Sequence, residues 1–77
     1  MNDEHESPIK TWRVAHGMTV GQLATACGMA EPEVHAVEVG NGGIPGEMQD
    51  YLTKRGENVS WLASEQSAFV ADLQRLH

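Results

Sequence analysis

Glycine interrupts this chain at intervals, and the interruptions constrain the fold more than any other feature. Gly17, Gly28, Gly40 and Gly56 each follow a short stretch whose apolar residues recur at three- and four-residue steps, the period of a helix. Glycine stops a helix there because it enters the left-handed conformation at little steric cost. Start signals sit where the stops require them. Ser7 stands before Pro8, Thr19 before the stretch carrying Leu23, Ala24 and Cys27, and Asn58 before "VSWLASEQSAFVADLQRL"; Ser, Thr and Asn cap helix N-termini and proline suits a first helical position. The pattern predicts five helices and no strands. The first runs from about Pro8 to His16, with Ile9 and Trp12 facing inward. The second runs from Thr19 to Gly28, and the third starts near Glu31, buries Val34 and Val37, and stops at Gly40. The fourth spans about Glu47 to Arg55 and buries Met48 with Tyr51 or Leu52; the last follows Asn58. Between the third and fourth, "GNGGIPG" holds four glycines and a proline, which excludes regular structure.

Seventy-seven residues make one domain whose core supplies only a few kcal/mol of net stability, so a partner or a second copy is a fair expectation. One cysteine, Cys27, forms no intramolecular disulfide and fits a reducing cytoplasm. No run approaches the roughly 18 apolar residues of a membrane span, and "MNDEHES" is neither a signal nor a transit peptide. Residues 1–7 read as a disordered acidic tail, 8–62 as the domain, and 63–77 as a C-terminal helical extension. The formal charge is −6, of which Asp3, Glu4 and Glu6 carry half. From Pro8 to Leu62 six acids face Lys10, Arg13, Lys54 and Arg55. The domain is mildly acidic, whereas a duplex-binding module normally shows a basic face.

The segments "IKTWR", "GMTVGQLATACGM" and "VHAVEVG", in register and without a gap, resemble the Cro and lambdoid-repressor type of helix-turn-helix domain. "GNGGIPGEMQDYLTKRGENVSWL" resembles the fourth and fifth helices of phage-repressor-like members. The similarity covers about Ile9 to Leu62. It implies an all-α, five-helix, lambda-repressor-like bundle with a central helix-turn-helix and an extended C-terminal helix. Ala24 and Gly28 are expected to be small because two helices cross closely there. Met18, Leu23, Met29, Val34 and Val37 are expected to form the seam between helices two and three, with Trp12, Met48, Leu52 and Trp61 closing the core. The resemblance also implies a structural Arg13–Glu38 ion pair, a job that suits the guanidinium fork.

In that family the start of the third helix reaches base edges, while the first turn of the second helix and the loop after the third hold phosphates. Carried over residue by residue, the base-facing positions are Glu31, Pro32, Glu33 and His35. The phosphate-facing ones are Val20, Gly21, Asn41, Gly42 and Gly43. Glu accepts from the cytosine amino group and His35 donates to guanine or phosphate. The chain departs from the family by having Val20 where many members have Gln, and acids where many have Arg or Lys. Binding per monomer is therefore expected to be weak and strongly salt-sensitive. The plainer reading is that Glu31 and Glu33 are favoured by the helix dipole alone and that Asn41–Gly43 simply turn the chain.

Catalysis, a cofactor and a metal are not expected. His5, His16, His35 and His77 are dispersed, Cys27 falls on an apolar face, and the loop glycines lack the setting of a nucleotide-binding loop. Leu62, Phe69, Val70, Leu73 and Leu76 form an apolar stripe on the last helix, which packs on the protein's own core or pairs with a second copy. The expectation is a cytoplasmic, homodimeric, sequence-specific reader of double-stranded DNA acting in transcriptional regulation. The alternative is a helix-turn-helix scaffold turned into an acidic protein-interaction module, an inhibitor or antitoxin-like adaptor that engages a basic partner and binds no DNA.

Overall fold

A computed structural model describes residues 7–75. They form α1 (Pro8–Ala15), α2 (Val20–Cys27), α3 (Glu31–Glu38), α4 (Gly46–Lys54) and α5 (Val59–Arg75), with no strand among the described residues. α2 packs most extensively on α3, α1 lies against α5 and α3, and α4 bridges α2 and α5. The radius of gyration is 11.7 Å, against the roughly 11 Å of a folded chain this size, so α5 lies back against the other helices. Leu76 and the tail residues 1–6 lie outside the described part.

The four glycine stops share one construction. Gly17, Gly28, Gly40 and Gly56 all have φ between 67° and 85°. In each case the next residue donates its N–H to a carbonyl five residues back: Met18 to Arg13, Met29 to Ala24, Asn41 to Ala36 and Glu57 to Leu52. This is the Schellman closure, which satisfies carbonyls that a helix end leaves unpaired. The starts are equally explicit. The Ser7 hydroxyl accepts from Ile9 N–H at 3.0 Å, and the Asn58 side chain accepts from Trp61 N–H at 3.0 Å. Thr19 and Gln22 cap one another reciprocally, at 3.1 and 2.8 Å, a capping box spelled "TVGQ".

The core gathers Ile9 and Trp12 from α1, Leu23 and Ala24 from α2, Val34 and Val37 from α3, Met48 and Leu52 from α4, and Leu62 from α5, with Ile44 from the loop. Tyr51 is half-buried, so Leu52 is the inward residue of α4. Each fully buried aliphatic contributes roughly 1.5–3 kcal/mol, a large fraction of what a domain of this size retains.

Four expectations change. Trp61 does not close the core: it is 57% exposed, because Leu62 and Val59 take the inward side of that turn. Gly28 is not small for packing, since a Cβ there would meet nothing within 4 Å; its left-handed φ is the reason. Ser7 belongs to no tail: it is 1% exposed and anchors α1. Finally, α5 runs unbroken through position 63 and inserts Gln66 and Phe69 into the interior, so no boundary separates a C-terminal extension. The dimerisation stripe is affected in the same way. Leu62 and Phe69 are 4% and 7% exposed within one chain, which among the described residues of the stripe leaves Val70 and Leu73, both half-buried.

Candidate nucleic-acid interface

α3 is held from behind and uncovered in front. Val34 and Val37 are buried, while Glu31, Pro32, Glu33 and His35 are exposed on the opposite side. Its last turn is tied to α1 by Arg13, whose Nε and Nη2 donate to the two Glu38 carboxylate oxygens at 2.7 and 3.0 Å. Arg13 Nη1 also donates to the Met18 carbonyl at 2.9 Å, so one guanidinium fixes the α1–α2 corner and the end of α3. Both side chains are largely withdrawn from water, at 12% and 7% exposure, and the hydrogen bond to Glu38 pushes the already high pKa of Arg13 further up. Two parallel N–H···O bonds define an orientation as well as an attraction.

The acids at the front of α3 are engaged within the chain. Glu33 folds back so that Oε1 accepts from Ala30 N–H at 2.9 Å, supplying a cap where Ala30 has no acceptor side chain. Its charge sits at the positive end of α3, where the dipole favours it by about 0.3–1 kcal/mol. The Glu31 carboxylate lies over α2: a Cβ at Gly21 would come within 2.8 Å of Glu31 Oε2. A side chain at Gly21 would clash only with the flexible end of the exposed Glu31, which can swing aside. Val20, half-buried, packs against the core. Both Val20 and Gly21 are half-buried at the first turn of α2. Pro32 and His35 are the outward residues of α3 with no such internal engagement among the described residues.

The loop after α3 divides similarly. Asn41 and Gly43 are exposed, but Gly42 is held by its carbonyl, which accepts from Gln66 Nε2 at 2.9 Å. The same Nε2 donates to the Val37 carbonyl at 2.9 Å, and Gln66 Oε1 accepts from the Ser7 hydroxyl at 3.2 Å. Gln66 is 0% exposed, so a buried amide on α5 sets the height of the loop, the end of α3 and the start of α1 together. Sequence reading passed over it, although a glutamine four residues after Leu62 and three before Phe69 is a polar residue on an inward face.

The electrostatics of this face are unusual for a DNA reader. Between Arg13 and Lys54 the chain has no Lys or Arg. Lys10, Lys54, Arg55 and Arg75 are exposed elsewhere, and the Arg55 guanidinium lies over the Trp12 ring at 5.4 Å. Compared with known proteins, the chain matches no family model, no curated protein and no solved structure at a significant level. Among the described residues no three His, Cys, Asp or Glu side chains gather to hold a metal, and no helix is long and apolar enough to cross a membrane.

Proposed function

We propose that this chain is a small, cytoplasmic, sequence-specific DNA-binding regulator of the Cro and lambdoid-repressor kind, with α2 and α3 as its helix-turn-helix and α3 as the helix laid in the major groove. The observation that carries the reading is the pose of α3. It is capped in front by Glu33, clamped behind by Arg13 and Glu38, and has Pro32 and His35 facing out with no element over them. His35 then donates to guanine or phosphate, Glu31 accepts from a cytosine amino group after leaving Gly21, and Asn41 and Gly43 lie beside a strand. A face without cations releases few counterions, so affinity is weak and its salt dependence shallow rather than steep. Two copies spanning half-sites about one helical turn apart raise that affinity; with Leu62 and Phe69 committed to the core, pairing falls to Val70 and Leu73.

The absence of any cation from position 14 to 53 favours the second reading, an acidic interaction module that grips a basic protein through α3. Selection from a randomised duplex library at low salt, followed by sequencing, separates the two. Enrichment of an inverted repeat supports the DNA reader. Recovery of no motif, with Glu31→Gln also failing to raise duplex affinity, sinks it in favour of the interaction module.

A further inference from the structure

Trp61, a large apolar side chain, stands at 57% exposure on the first turn of α5. It forms one wall of a groove between α1 and α5 of about 540 Å³, the size of a binding cleft. Trp12, Leu62 and Phe69, all core residues, line the same groove, and the small side chains of Ala15 and Ala68 leave it open. Its charged lining residues are Glu57, Glu65 and Asp72, with no Lys, Arg or His among the lining side chains. Asp72 is compensated by Arg75 in an exposed ion pair, so among the described residues the unpaired acids of the groove are Glu57 and Glu65.

We propose that the α1–α5 groove is a docking site for a cationic amphipathic helix of a partner protein. The partner's apolar stripe lies against Trp61 and the groove floor, and its flanking Lys or Arg side chains meet Glu57 and Glu65. Charge selects this occupant over the other two. A second copy packed groove to groove would bring its own Glu57 and Glu65 against the same two acids. The segment before Ser7 carries Asp3, Glu4 and Glu6, which do not complement the groove's acids. Apolar anchoring plus complementary rim charge is the established mode of helix-in-groove recognition. The inference does not depend on the DNA reading, since no groove residue belongs to α2, α3 or the loop between α3 and α4.

The test uses the full chain and a synthetic helical peptide of about 16 residues, with Leu at i, i+3, i+4 and i+7 spacing and Lys on the flanks. Its control has every Lys replaced by Glu. Backbone amide chemical shifts and Trp fluorescence are followed during titration. The expected result is saturable binding of the Lys peptide, with shifts confined to α1 and α5 and no binding of the Glu peptide. Trp61→Ala weakens it at least about tenfold, and Glu57→Lys with Glu65→Lys reverses the peptide preference. Trp61 and Glu65 are exposed and Glu57 is half-buried, so an unchanged thermal transition is required of each variant. The proposal is overturned by no saturation up to about 1 mM peptide, the limit of a −4 kcal/mol interaction, or by equal binding of both peptides. It is also overturned if sedimentation shows a dimer that Trp61→Ala dissolves, which makes a second copy the occupant, or if deleting residues 1–6 is needed before the Lys peptide binds.

Discussion

Replacing Gln66 with methionine keeps a side chain of similar length and deletes three hydrogen bonds at once. Each is worth a net ~0.5–1.5 kcal/mol, so the gross loss is about 1.5–4.5 kcal/mol. Two of the three partners retain another bond. The Ser7 hydroxyl still accepts from Ile9 N–H at 3.0 Å, and the Val37 carbonyl still accepts from Gly40 N–H at 3.2 Å. The Gly42 carbonyl keeps no other partner among the described residues, though it is only partly buried. The loss therefore falls in the lower half of the range, and an apolar side chain in a fully buried site returns part of it. The expected net destabilisation is about 2 kcal/mol, or roughly 8–16 °C in Tm for a domain this size. Thermal and urea unfolding followed by circular dichroism measure it, with an unchanged urea slope showing that the native state stays compact. A Tm within about 2 °C of the parent would refute the reasoning and show that the amide orients the loop without stabilising the fold. Gln66→Glu makes the same site sensitive to pH. A carboxyl there is buried against two carbonyl oxygens with no cation, so its folded pKa lies above its unfolded value. Stability is then retained below the unfolded pKa and lost as pH rises through the folded one. The variant should be more stable at pH 4 than at pH 7, relative to the parent.

The other predictions follow from single contacts. Arg13→Met leaves Glu38 withdrawn from water without its partner; a fully buried orphan costs about 3–5 kcal/mol, and partial exposure reduces this to about 2–3 kcal/mol, readable by urea unfolding. Gly40→Ala places a methyl against Leu73 and 3.2 Å from Phe69 at a φ of +85°, adding overpacking of about 1–3 kcal/mol to backbone strain of about 1–2 kcal/mol. Gly17→Ala has open space around it and incurs the strain alone, so the difference between the two Tm values isolates the clash. Burial, and secondarily the charge of Glu47, push the Cys27 thiol up. Alkylation should therefore be slower in the native than in the unfolded protein at pH 8, and faster in Glu47→Gln. Because the folded thiol resists ionising, this residue's contribution to stability falls as pH climbs past the unfolded thiol's pKa.

The helix boundaries were legible because their signals are local. A Ser, Thr or Asn cap and a glycine stop act within one turn, and Ser7, Thr19, Asn58 and the four glycines do in space what their spacing announces. Trp61 was misjudged because size suggested burial, whereas its neighbours Val59 and Leu62 set which side of the turn faces in. Gln66 and Ile44 were missed for a different reason: a polar residue on an inward face and an apolar one in a glycine-rich loop acquire meaning only from distant partners. At the candidate interface, sequence position identified which residues of α3 lie outward. It did not reveal that Glu33 caps its own helix or that Glu31 rests on Gly21, since both depend on rotamers.

The hydrogen bond between Ser7 and Gln66 spans 59 positions. During synthesis α3 and its loop are made before the residue that holds them. A nascent chain, or one clipped within α5, already carries Pro32, His35 and Asn41 but lacks the amide that seats Gly42 and the end of α3. Its candidate surface lacks three of the hydrogen bonds that hold it in place. A fragment that ends before Gln66 is therefore expected to hold the loop and the end of α3 less firmly than the full chain, and amide exchange at Asn41 and Gly43 measures the difference.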